Sequence, residues 1–573
     1  MRYRWLVAPS QPILVGELSR RLNISPLLAQ CLLNRGLKHA VEIEKFLAPR
    51  LKNLADPFLL PGMAPAVERL LVALERGESL VIFGDYDVDG VTSTTLLLDA
   101  LQKLGWKADA YLPHRMDEGY GLSRDGVENC LKKYPVNLLL AVDCGSTAVE
   151  TILWLRERGV EVLVFDHHQV SDPPPVATAL VNPQLAGENE PCFRELCSVG
   201  LAFKLVHALL KRGRQLGLAG MAEFDLKTYL DLVALGTVAD LVPLTGENRI
   251  LVTAGLEKLN TSQRPGLMAL KEIAQTPANI SVMDVGFQLA PRLNASGRLE
   301  TAEESLHLLR AETREEAMPL AQNLDAHNRE RQTIERGIVK EVIGIVRAKF
   351  NAETDFVIIE GQLPWHIGVV GIVASRVLSE FYRPTIIIGG DGEVWRGSGR
   401  SIAGFDLAAA LRQCGDLLIK HGGHAMAAGL TIAPDKIDEF RQRMNGLVRQ
   451  SLQAESFLAP LRLDAEVKLN ELDLKVLEEL DQLKPTGQGN PGLQFAANKL
   501  THSRPLQRIG AEKQHVKMWV TDGAAKLEAV WWNAGAAPMP EGTFDLAFAP
   551  SINEFNGRTS IQLKVLDWRP AKV

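Results

Sequence analysis

Short apolar runs, each followed by an acidic residue, recur in the first third of the chain. They occupy residues 80–83, 138–142 and 162–165. Runs of this length bounded by Gly and Asp predict central strands of a parallel sheet. Stretches with helical spacing lie between them at 92–104 and 148–159, so the pattern predicts βαβ units.

The pattern changes several times along the rest of the chain. Leu-rich helical spacing is found in residues 1–70, and residues 195–310 are also mostly helical in pattern. Apolar residues at positions 334, 338, 342 and 345 predict one face of a long helix over 313–349, with Pro319 in its first turn. A second α/β region follows, with strands at 356–360 and 385–389. Short alternating runs after residue 460 predict a small antiparallel β barrel or sandwich.

These patterns predict an α/β protein built from several domains, as expected for 573 residues. The predicted segments are a helical N-terminal segment (1–70), a parallel-sheet domain (71–310), a connecting helix (311–350), a second α/β domain (351–455) and a small OB-like β barrel (456–573).

Composition excludes some classes of protein. Hydrophobic residues make up 46% and charged residues 23% of the chain, as in ordinary soluble proteins, and no run reaches the ~18 apolar residues of a membrane span. The N-terminus lacks the apolar core of a signal peptide. Six cysteines form no CxxC pair, so we expect reduced thiols and a cytoplasmic protein. The net charge of −6 argues weakly against a polyanion ligand.

The clearest chemical signal is the acidic cluster that follows the first strand. Asp85, Asp87 and Asp89 alternate between Gly84 and Gly90. Alternate side chains of an extended segment point the same way, so this spacing predicts three carboxylates aimed at one cation cluster. A solvated turn and a calcium loop are the alternatives. The calcium loop requires a Glu at its twelfth position, and this chain has a Leu there.

The other two strands end in further candidate ligands. Asp143 follows the second strand, and Asp166, His167 and His168 follow the third. Ligands bind outside the carboxyl ends of the strands in open α/β sheets, so these side chains should meet in one crevice. So many carboxylates cannot stay ionised together without cations, and oxygen with imidazole ligands suits Mn²⁺ or Mg²⁺. A helix cap at Asp143 and a pair of buried core histidines remain the structural alternatives.

The ordered series of motifs resembles the DHH phosphoesterase superfamily. The resemblance rests on the acidic cluster, on Asp143 with its Cys-Gly neighbours, and on the Asp-His-His triplet. Later segments extend it over nearly the whole chain, namely 236–244, 291–299, 365–376, 422–429 and 484–491. Together with the added β domain, it implies a single-strand-specific 5′→3′ DNA exonuclease that acts in DNA repair and recombination.

The resemblance also implies roles for individual residues. Two cations about 3.5–4 Å apart would clamp the attacking and leaving oxygens and activate a water. One cation would be held by Asp85, Asp87 and Asp143, and the other by Asp89, Asp143, His167 and Asp240. His168 would donate to a non-bridging phosphate oxygen. Arg115 and Arg298 are further candidates for phosphate contact, although Arg115 could equally be a solvated loop cation.

A second cluster could hold the terminal phosphate. Residues 396–401 read Arg-Gly-Ser-Gly-Arg-Ser, and a Gly-rich backbone can present N–H groups to an anion as a nest. We expect Ser398 and Arg400 to contact a terminal or nearby phosphate, with His424 on the adjacent Gly-Gly-His loop. A plain hairpin turn is the alternative for this segment.

The C-terminal domain offers aromatic and basic residues that could hold a single strand. His515, Lys517, Trp519, Trp531 and Trp532 lie close together in sequence. These residues form either an OB-type groove on which bases stack or a tryptophan cluster in the core. At least one of the two adjacent tryptophans should be buried.

The predicted substrate is single-stranded DNA. The alternative is a phosphoesterase for short oligoribonucleotides, cyclic dinucleotides or pyrophosphate, but such relatives usually lack the added β domain. A scaffold that has lost its ligands is a third reading, which the complete set of ligands argues against. A helicase or a single-strand-binding protein stays open as a partner, and we expect a monomer without membrane contact.

Overall fold

The computed structural model describes residues 3–114, 117–119, 121–187, 193–299, 301–390, 392–535, 537–555 and 557–571, with the backbone alone at 298, 299 and 555. The chain forms two compact units. The parallel-sheet unit contains residues 45–331 and 485–491. The mixed-sheet unit contains residues 1–44, 332–484 and 492–573.

The strands are β1 Tyr3–Val7, β2 Ser79–Gly84, β3 Lys107–Tyr111, β4 Leu138–Val142, β5 Glu161–Phe165, β6 Ala179–Val181, β7 Ile358–Gln362, β8 Thr385–Gly390, β9 Trp395–Arg400, β10 Leu418–Gly423, β11 Ala427–Ile432, β12 Ala459–Leu463, β13 Ala465–Glu466, β14 Phe495–His502, β15 Gln507–Ile509, β16 His515–Thr521, β17 Lys526–Trp531, β18 Phe544–Phe555 and β19 Arg558–Pro570. The helices are α1 Pro12–Leu22, α2 Pro26–Asn34, α3 Ala40–Leu47, α4 Met63–Arg76, α5 Val88–Lys103, α6 Arg124–Lys133, α7 Val149–Glu157, α8 Ser198–Gln215, α9 Leu230–Ala239, α10 Gly246–Asn260, α11 Pro265–Ala274, α12 Val282–Asp284, α13 Ala290–Leu299, α14 Glu303–Arg310, α15 Arg314–Lys349, α16 Val370–Phe381, α17 Leu407–Gln413, α18 Ile437–Ser451 and α19 Leu474–Leu480. A π-helical turn, Val285–Leu289, precedes α13.

The parallel-sheet unit is built on five parallel strands in the order β3-β2-β4-β5-β6. The predicted βαβ pattern is confirmed, and β4 has the predicted bounds. All five residues of β4 are buried, because helices cover both faces of the sheet. The three strands that end in candidate ligands are neighbours, so their carboxyl ends meet at one edge.

The mixed-sheet unit contains a second α/β sheet in the order β10-β11-β9-β8-β7. β7 and β8 are parallel, and the other pairs are antiparallel. β7 begins two residues later than predicted, whereas β8 begins at the predicted residue.

The C-terminal strands form the predicted small barrel. The closed order is β14-β18-β19-β17-β16, and β16 pairs again with β14. The ring is antiparallel except for β17 and β19, which run parallel. Closure removes most of the exposed strand edges.

Two predictions for local structure were wrong. The N-terminal segment is not wholly helical, because β1 pairs in parallel with β12, more than 450 residues later in the chain. Pro319 lies inside α15, in its second turn. The helix begins at Arg314, within one residue of the predicted start, because the Thr313 hydroxyl accepts a hydrogen bond from the Glu316 N–H at 3.2 Å and so caps the first turn.

No single helix of the described residues is both long and apolar enough to cross a membrane. One bent pair, Leu51–Leu59 with Met63–Arg76, passes on length and composition when taken together.

Candidate metal centre

The first group of carboxylates comes from the β2–α5 connection. Asp85 follows β2 directly, Asp87 is the N-cap of α5, and Asp89 lies in its first turn. The prediction of an extended segment with alternating side chains was wrong, because the helix begins at Val88. The Asp87 carboxylate accepts hydrogen bonds from the N–H groups of Asp89 and Gly90, at 2.9 and 3.1 Å, which fixes the turn.

Glycines allow the close packing of this turn. A Cβ on Gly90 would lie 2.4 Å from the Asp85 carbonyl oxygen. A Cβ on Gly84 would lie 2.1 Å from the Thr94 hydroxyl. Neither distance is possible for a real side chain, so both positions require glycine.

Asp143 occupies the centre of the site. Its backbone N–H continues the β4–β5 ladder by donating to the Phe165 carbonyl at 3.0 Å. Its φ is then +64°, a left-handed value that is rare outside Gly, Asn and Asp. The carboxylate is buried and accepts a 2.9 Å hydrogen bond from the Ser198 hydroxyl at the start of α8.

The third strand supplies two imidazoles with different environments. His167 Nε2 lies 3.5 Å from the Asp143 carboxylate, and His168 Nδ1 lies 2.8 Å from the Asp166 carboxylate. Both rings reach the site because the chain leaves the extended conformation after Phe165. Asp166 also accepts from the N–H groups of Ser146 and His168 and therefore holds the turn and the His168 ring together.

Asp240 enters the site from a different part of the fold. It is the C-cap of the buried helix α9. Its Oδ2 lies 3.4 Å from His167 Nε2, which is also 4.0 Å from the Asp89 carboxylate. His167 thus faces three carboxylates, those of Asp89, Asp143 and Asp240. A second group, Asp85, Asp87 and Asp143, offers ligand atoms within 4.8 Å of one another. The structure therefore brings together the residues of the two ligand sets that the family resemblance implies, with Asp143 next to both.

Burial and mutual repulsion make this carboxylate cluster unfavourable without cations. Burial raises the pKa of Asp143 well above its usual value, and the charges of Asp89, Asp87, Asp85 and Asp240 raise it further. Burial and the Asp89 and Asp87 charges raise the pKa of Asp240 to about 8. Burial and Asp87 likewise raise the pKa of Asp89 to about 6. Cations among these oxygens would remove the repulsion.

The histidines divide into a neutral and a charged ring. Burial, and then the charge of His168, lower the pKa of His167 to about 4, so His167 is neutral as a metal ligand must be. Burial would also lower the pKa of His168, but the hydrogen bond and charge of Asp166 outweigh it and raise the pKa to about 9.

The residues present fit hard divalent cations. Among the described residues, His167 Nε2 and Asp240 Oδ2 are buried without a hydrogen-bond partner, although they face each other across the site. An ion between such atoms would satisfy both. Carboxylate oxygens with one imidazole are a donor set that suits Mn²⁺ or Mg²⁺.

Four residues have roles at the centre that the sequence analysis did not assign. Asp166, a candidate ligand by its place before the two histidines, orients His168. Ser198 and Val199 hold Asp89 through their N–H groups at 2.7 and 2.9 Å. Cys197 lies beside Asp89 and Asp240. Burial and these two carboxylates raise the pKa of its thiol well above the usual value, so Cys197 is a neutral neighbour.

Residues 396–401 form neither a nest nor a hairpin turn. They lie mostly in β9, whose backbone pairs with β8 on one side and β11 on the other, so its N–H groups belong to the sheet. Ser398 and Arg400 point to the same face, and Arg400 donates to the Ser398 hydroxyl at 3.0 Å. A Cβ on Gly371 would lie 3.0 Å from that hydroxyl and 3.2 Å from the Arg400 guanidinium, so both side chains lie over the start of α16.

Of the three other predicted phosphate contacts, the structure describes the side chain of His424 alone. His424 is exposed at the turn between β10 and β11, three residues before Ala427, which pairs with Arg400. Arg115 lies outside the described residues, as does the side chain of Arg298.

The barrel carries an aromatic and basic surface. Val516, Met518 and Val520 of β16 are buried, while His515, Lys517 and Trp519 alternate with them on the other face. The Lys517 ammonium lies 5.2 Å from the Trp519 ring. Trp531 is 8% exposed and Trp532 is 47% exposed, so one of the two neighbours is buried, as predicted.

Three family descriptions match this chain. They are the N-terminal domain of the DHH family over residues 79–237, the DHHA1 domain over 353–450 and the RecJ OB domain over 463–567. All the candidate metal ligands except Asp240 lie within the first of these ranges, and Asp240 follows it by three residues.

Similar proteins span nearly the whole chain. The single-stranded-DNA-specific exonuclease RecJ of Bacillus subtilis is 37% identical over 99% of this chain and 71% of its own length. The crystal structure of RecJ from Thermus thermophilus in complex with Mn²⁺ covers 100% of this chain and 80% of its own, with a TM-score of 0.85 and 30% identity. The same protein in complex with Mg²⁺ gives a TM-score of 0.80 and 28% identity, over 100% of this chain and 79% of its own.

Proposed function

The chain belongs to the RecJ family of single-stranded-DNA-specific exonucleases, and we propose that it digests single-stranded DNA from the 5′ end. It is a metal-dependent phosphodiesterase. The products would be 5′-mononucleotides, and the activity would serve DNA repair and recombination.

One observation carries the catalytic part of this proposal. Five aspartates and two histidines from two separate parts of the parallel-sheet unit converge in one buried cluster, with Asp143 at its centre. A purely structural role would leave these carboxylates repelling one another. We propose that Asp85, Asp87 and Asp143 hold one cation and that Asp89, Asp143, His167 and Asp240 hold the other.

Two divalent cations supply a nucleophile at neutral pH and stabilise the charge on the attacking and leaving oxygens. The chain itself fixes the positions of the ligands. Ser198 and Val199 hold Asp89, and the Ser198 hydroxyl holds Asp143. His168, kept protonated by Asp166, would donate a hydrogen bond to a non-bridging oxygen of the scissile phosphate, where negative charge develops.

We propose that Ser398 and Arg400 bind the 5′-terminal phosphate. A guanidinium, a hydroxyl and the start of a helix together are an anion-binding combination. Burial lowers the pKa of the Arg400 guanidinium, but the group stays charged and gains a partner when a phosphate binds. His424 and Arg298 would be accessory contacts to the DNA backbone, as would Arg115.

Replacing Arg400 by Gln should weaken the preference for a 5′-phosphate. Loss of one charge-assisted contact should raise KM about tenfold for a 5′-phosphorylated oligonucleotide and change KM little for a 5′-hydroxyl oligonucleotide. Steady-state kinetics on the two substrates measures this effect. Arg449→Gln, an exposed arginine of α18, is the matched control and should change neither value. Equal losses on both substrates would contradict the role in binding the terminal phosphate.

We propose that the barrel also binds single-stranded DNA. Trp532 is exposed and is contacted edge-on by His515, with 4.7 Å between the ring centroids. Base stacking on such rings is tolerant of sequence, which suits an enzyme that must digest any strand.

Three kinds of substrate separate this proposal from the small-substrate alternative: a single strand, a duplex and small phosphate esters or anhydrides. The enzyme should digest a single-stranded 30-mer, leave the corresponding blunt duplex intact and act poorly on a dinucleotide or pyrophosphate. Hydrolysis of the small substrates without digestion of the 30-mer would instead support the phosphoesterase alternative.

We further propose that the protein acts as a cytoplasmic monomer. Reduced thiols support this location, because the five cysteines of the described residues are free and buried. A helicase or a single-strand-binding protein would be the natural partner, because each presents single-stranded DNA.

A further inference from the structure

Asp240 is held differently from Asp89 and Asp143. Asp89 and Asp143 accept hydrogen bonds from residues at the start of α8. The buried Oδ2 of Asp240 has no such partner among the described residues. The position of this carboxylate therefore depends on its backbone, which is fixed on one side by the end of α9 and on the other by the loop 241–245.

This loop is short and strained. Leu241 has a φ of +58°, which is unusual for a residue other than glycine. Leu244 is only 2% exposed, so its N–H needs a partner inside the protein. On the side of α10, the Asn248 amide donates to the Pro243 carbonyl at 3.0 Å.

The partner of Leu244 comes from the C-terminal part of the chain. The Leu244 N–H donates to the Gln488 carbonyl at 2.7 Å. Gly487 and Asn490 pair with each other, so Gln488 and Gly489 form the tip of a tight turn. Asn490 is fully buried, and its amide closes the turn by donating to the Pro485 carbonyl at 2.9 Å.

The turn is anchored in the parallel-sheet unit. The segment Pro485–Pro491 groups with that unit, although the residues before and after it belong to the mixed-sheet unit. Arg249, in α10, is 2% exposed, and its guanidinium donates to the Pro485 carbonyl at 3.3 Å and to the Phe46 carbonyl at 2.8 Å. It also stacks on the Phe46 ring at 3.9 Å.

Gly489 makes this contact possible. Its φ is +71°, and a Cβ would lie 2.8 Å from Pro243 Cβ and 3.3 Å from Pro243 Cα. The proline ring cannot move away as a flexible side chain could. An alanine at this position would therefore push the turn and the loop after Asp240 apart.

We propose that the turn Pro485–Pro491 is a positioning element of the metal centre, with Gly489 as the residue that sets the Asp240 loop. This inference rests on the proposed function, because it takes Asp240 as a metal ligand. The C-terminal region then contributes to metal binding as well as to DNA affinity.

Binding of Mn²⁺ to the full-length, DNA-free protein, followed by electron paramagnetic resonance, tests this role. Gly489→Ala should raise the Kd of one Mn²⁺ about 10–100-fold, as expected when the support of a ligand is lost. It should also lower kcat while leaving KM for a long oligonucleotide within about twofold of wild type. Gly492→Ala is the matched control, since a Cβ there would meet no described atom within 4 Å.

A second variant keeps the test decisive if Gly489→Ala does not fold. A Cβ on Gly487 would lie 2.8 Å from the end of the Leu244 side chain, which can adjust. Gly487→Ala should therefore fold and raise the same Kd, but by less. Unchanged Mn²⁺ binding in the folded variants, or a loss confined to DNA affinity, would overturn the inference.

Asp240→Asn, measured in parallel, distinguishes failure of the proposed ligand set from failure of the positioning role. Wild-type Mn²⁺ binding by this variant would contradict the proposed ligand set itself. Weakened binding by Asp240→Asn together with normal binding by the glycine variants would reject the positioning role alone.

Discussion

Replacing Asp143 by Asn should abolish hydrolysis of single-stranded DNA while leaving the fold intact. The side chain is shared by both proposed cation sites, so neither site would keep its charge balance. The loss should exceed the ~10²–10³-fold that removal of one transition-state hydrogen-bond donor costs. Single-turnover digestion at saturating Mn²⁺ measures it.

Asn is the appropriate substitution for structural reasons. It tolerates the left-handed φ of +64° at this position, and its carbonyl oxygen can still accept the hydrogen bond from Ser198. Thermal unfolding should therefore show a folded protein. Asp109→Asn, on the exposed side of β3 in the same sheet, is the control and should retain full activity. Activity of the Asp143 variant within tenfold of wild type would contradict the proposal that Asp143 is a metal ligand.

Replacing His168 by Gln should lower the hydrolysis rate about 10²–10³-fold without weakening Mn²⁺ binding. The charged imidazole is held by Asp166 at 2.8 Å. In the proposed mechanism it would donate to the phosphate where negative charge develops. Gln keeps a donor but loses the charge. The effect should fall on kcat, and KM should change little.

A double substitution tests whether Asp166 acts through His168. Asp166→Asn alone should lower kcat, because His168 loses the carboxylate that keeps it protonated. In the His168→Gln background the same change should add little, since the two residues act as a pair. Additive losses would show that Asp166 does not act through His168, and a fall in Mn²⁺ affinity for His168→Gln would indicate that His168 is a metal ligand.

The sequence predicted the sheet and most of the candidate ligands because both depend on local signals. A buried strand is an apolar run, and a catalytic acid at its carboxyl end is the next residue. Asp240 has no strand before it, and its place in the site came only from the family resemblance. Its distance of 3.4 Å from His167 depends on how α9 packs in the fold.

The sequence was misleading where one residue type serves two purposes. Gly397 and Gly399 suggested a turn or a nest, but they lie in a central strand. A Cβ on Gly399 would be 2.7 Å from Leu407, and one on Gly397 would be 3.0 Å from Ile388, so both glycines allow close packing. Only tertiary structure distinguishes this use of glycine from a flexible backbone.

Long-range pairing could not be predicted at all. β1 is five residues long, and its partner β12 lies at the far end of the sequence. The Trp5 indole then donates to the Asp567 carboxylate at 2.8 Å. No local periodicity reports such a contact, and the same limit applies to the contact between Leu244 and Gln488.

We propose that the carboxylate and histidine centre holds the cations with which the enzyme digests single strands from the 5′ end. Mn²⁺-dependent digestion of one oligonucleotide labelled at the 5′ end, and of the same strand labelled at the 3′ end, tests it most directly. We expect immediate release of a labelled mononucleotide from the 5′-labelled strand and gradual shortening of the 3′-labelled strand. Asp143→Asn should form neither product. Release of a labelled mononucleotide first from the 3′-labelled strand, or digestion that persists in Asp143→Asn, would contradict it.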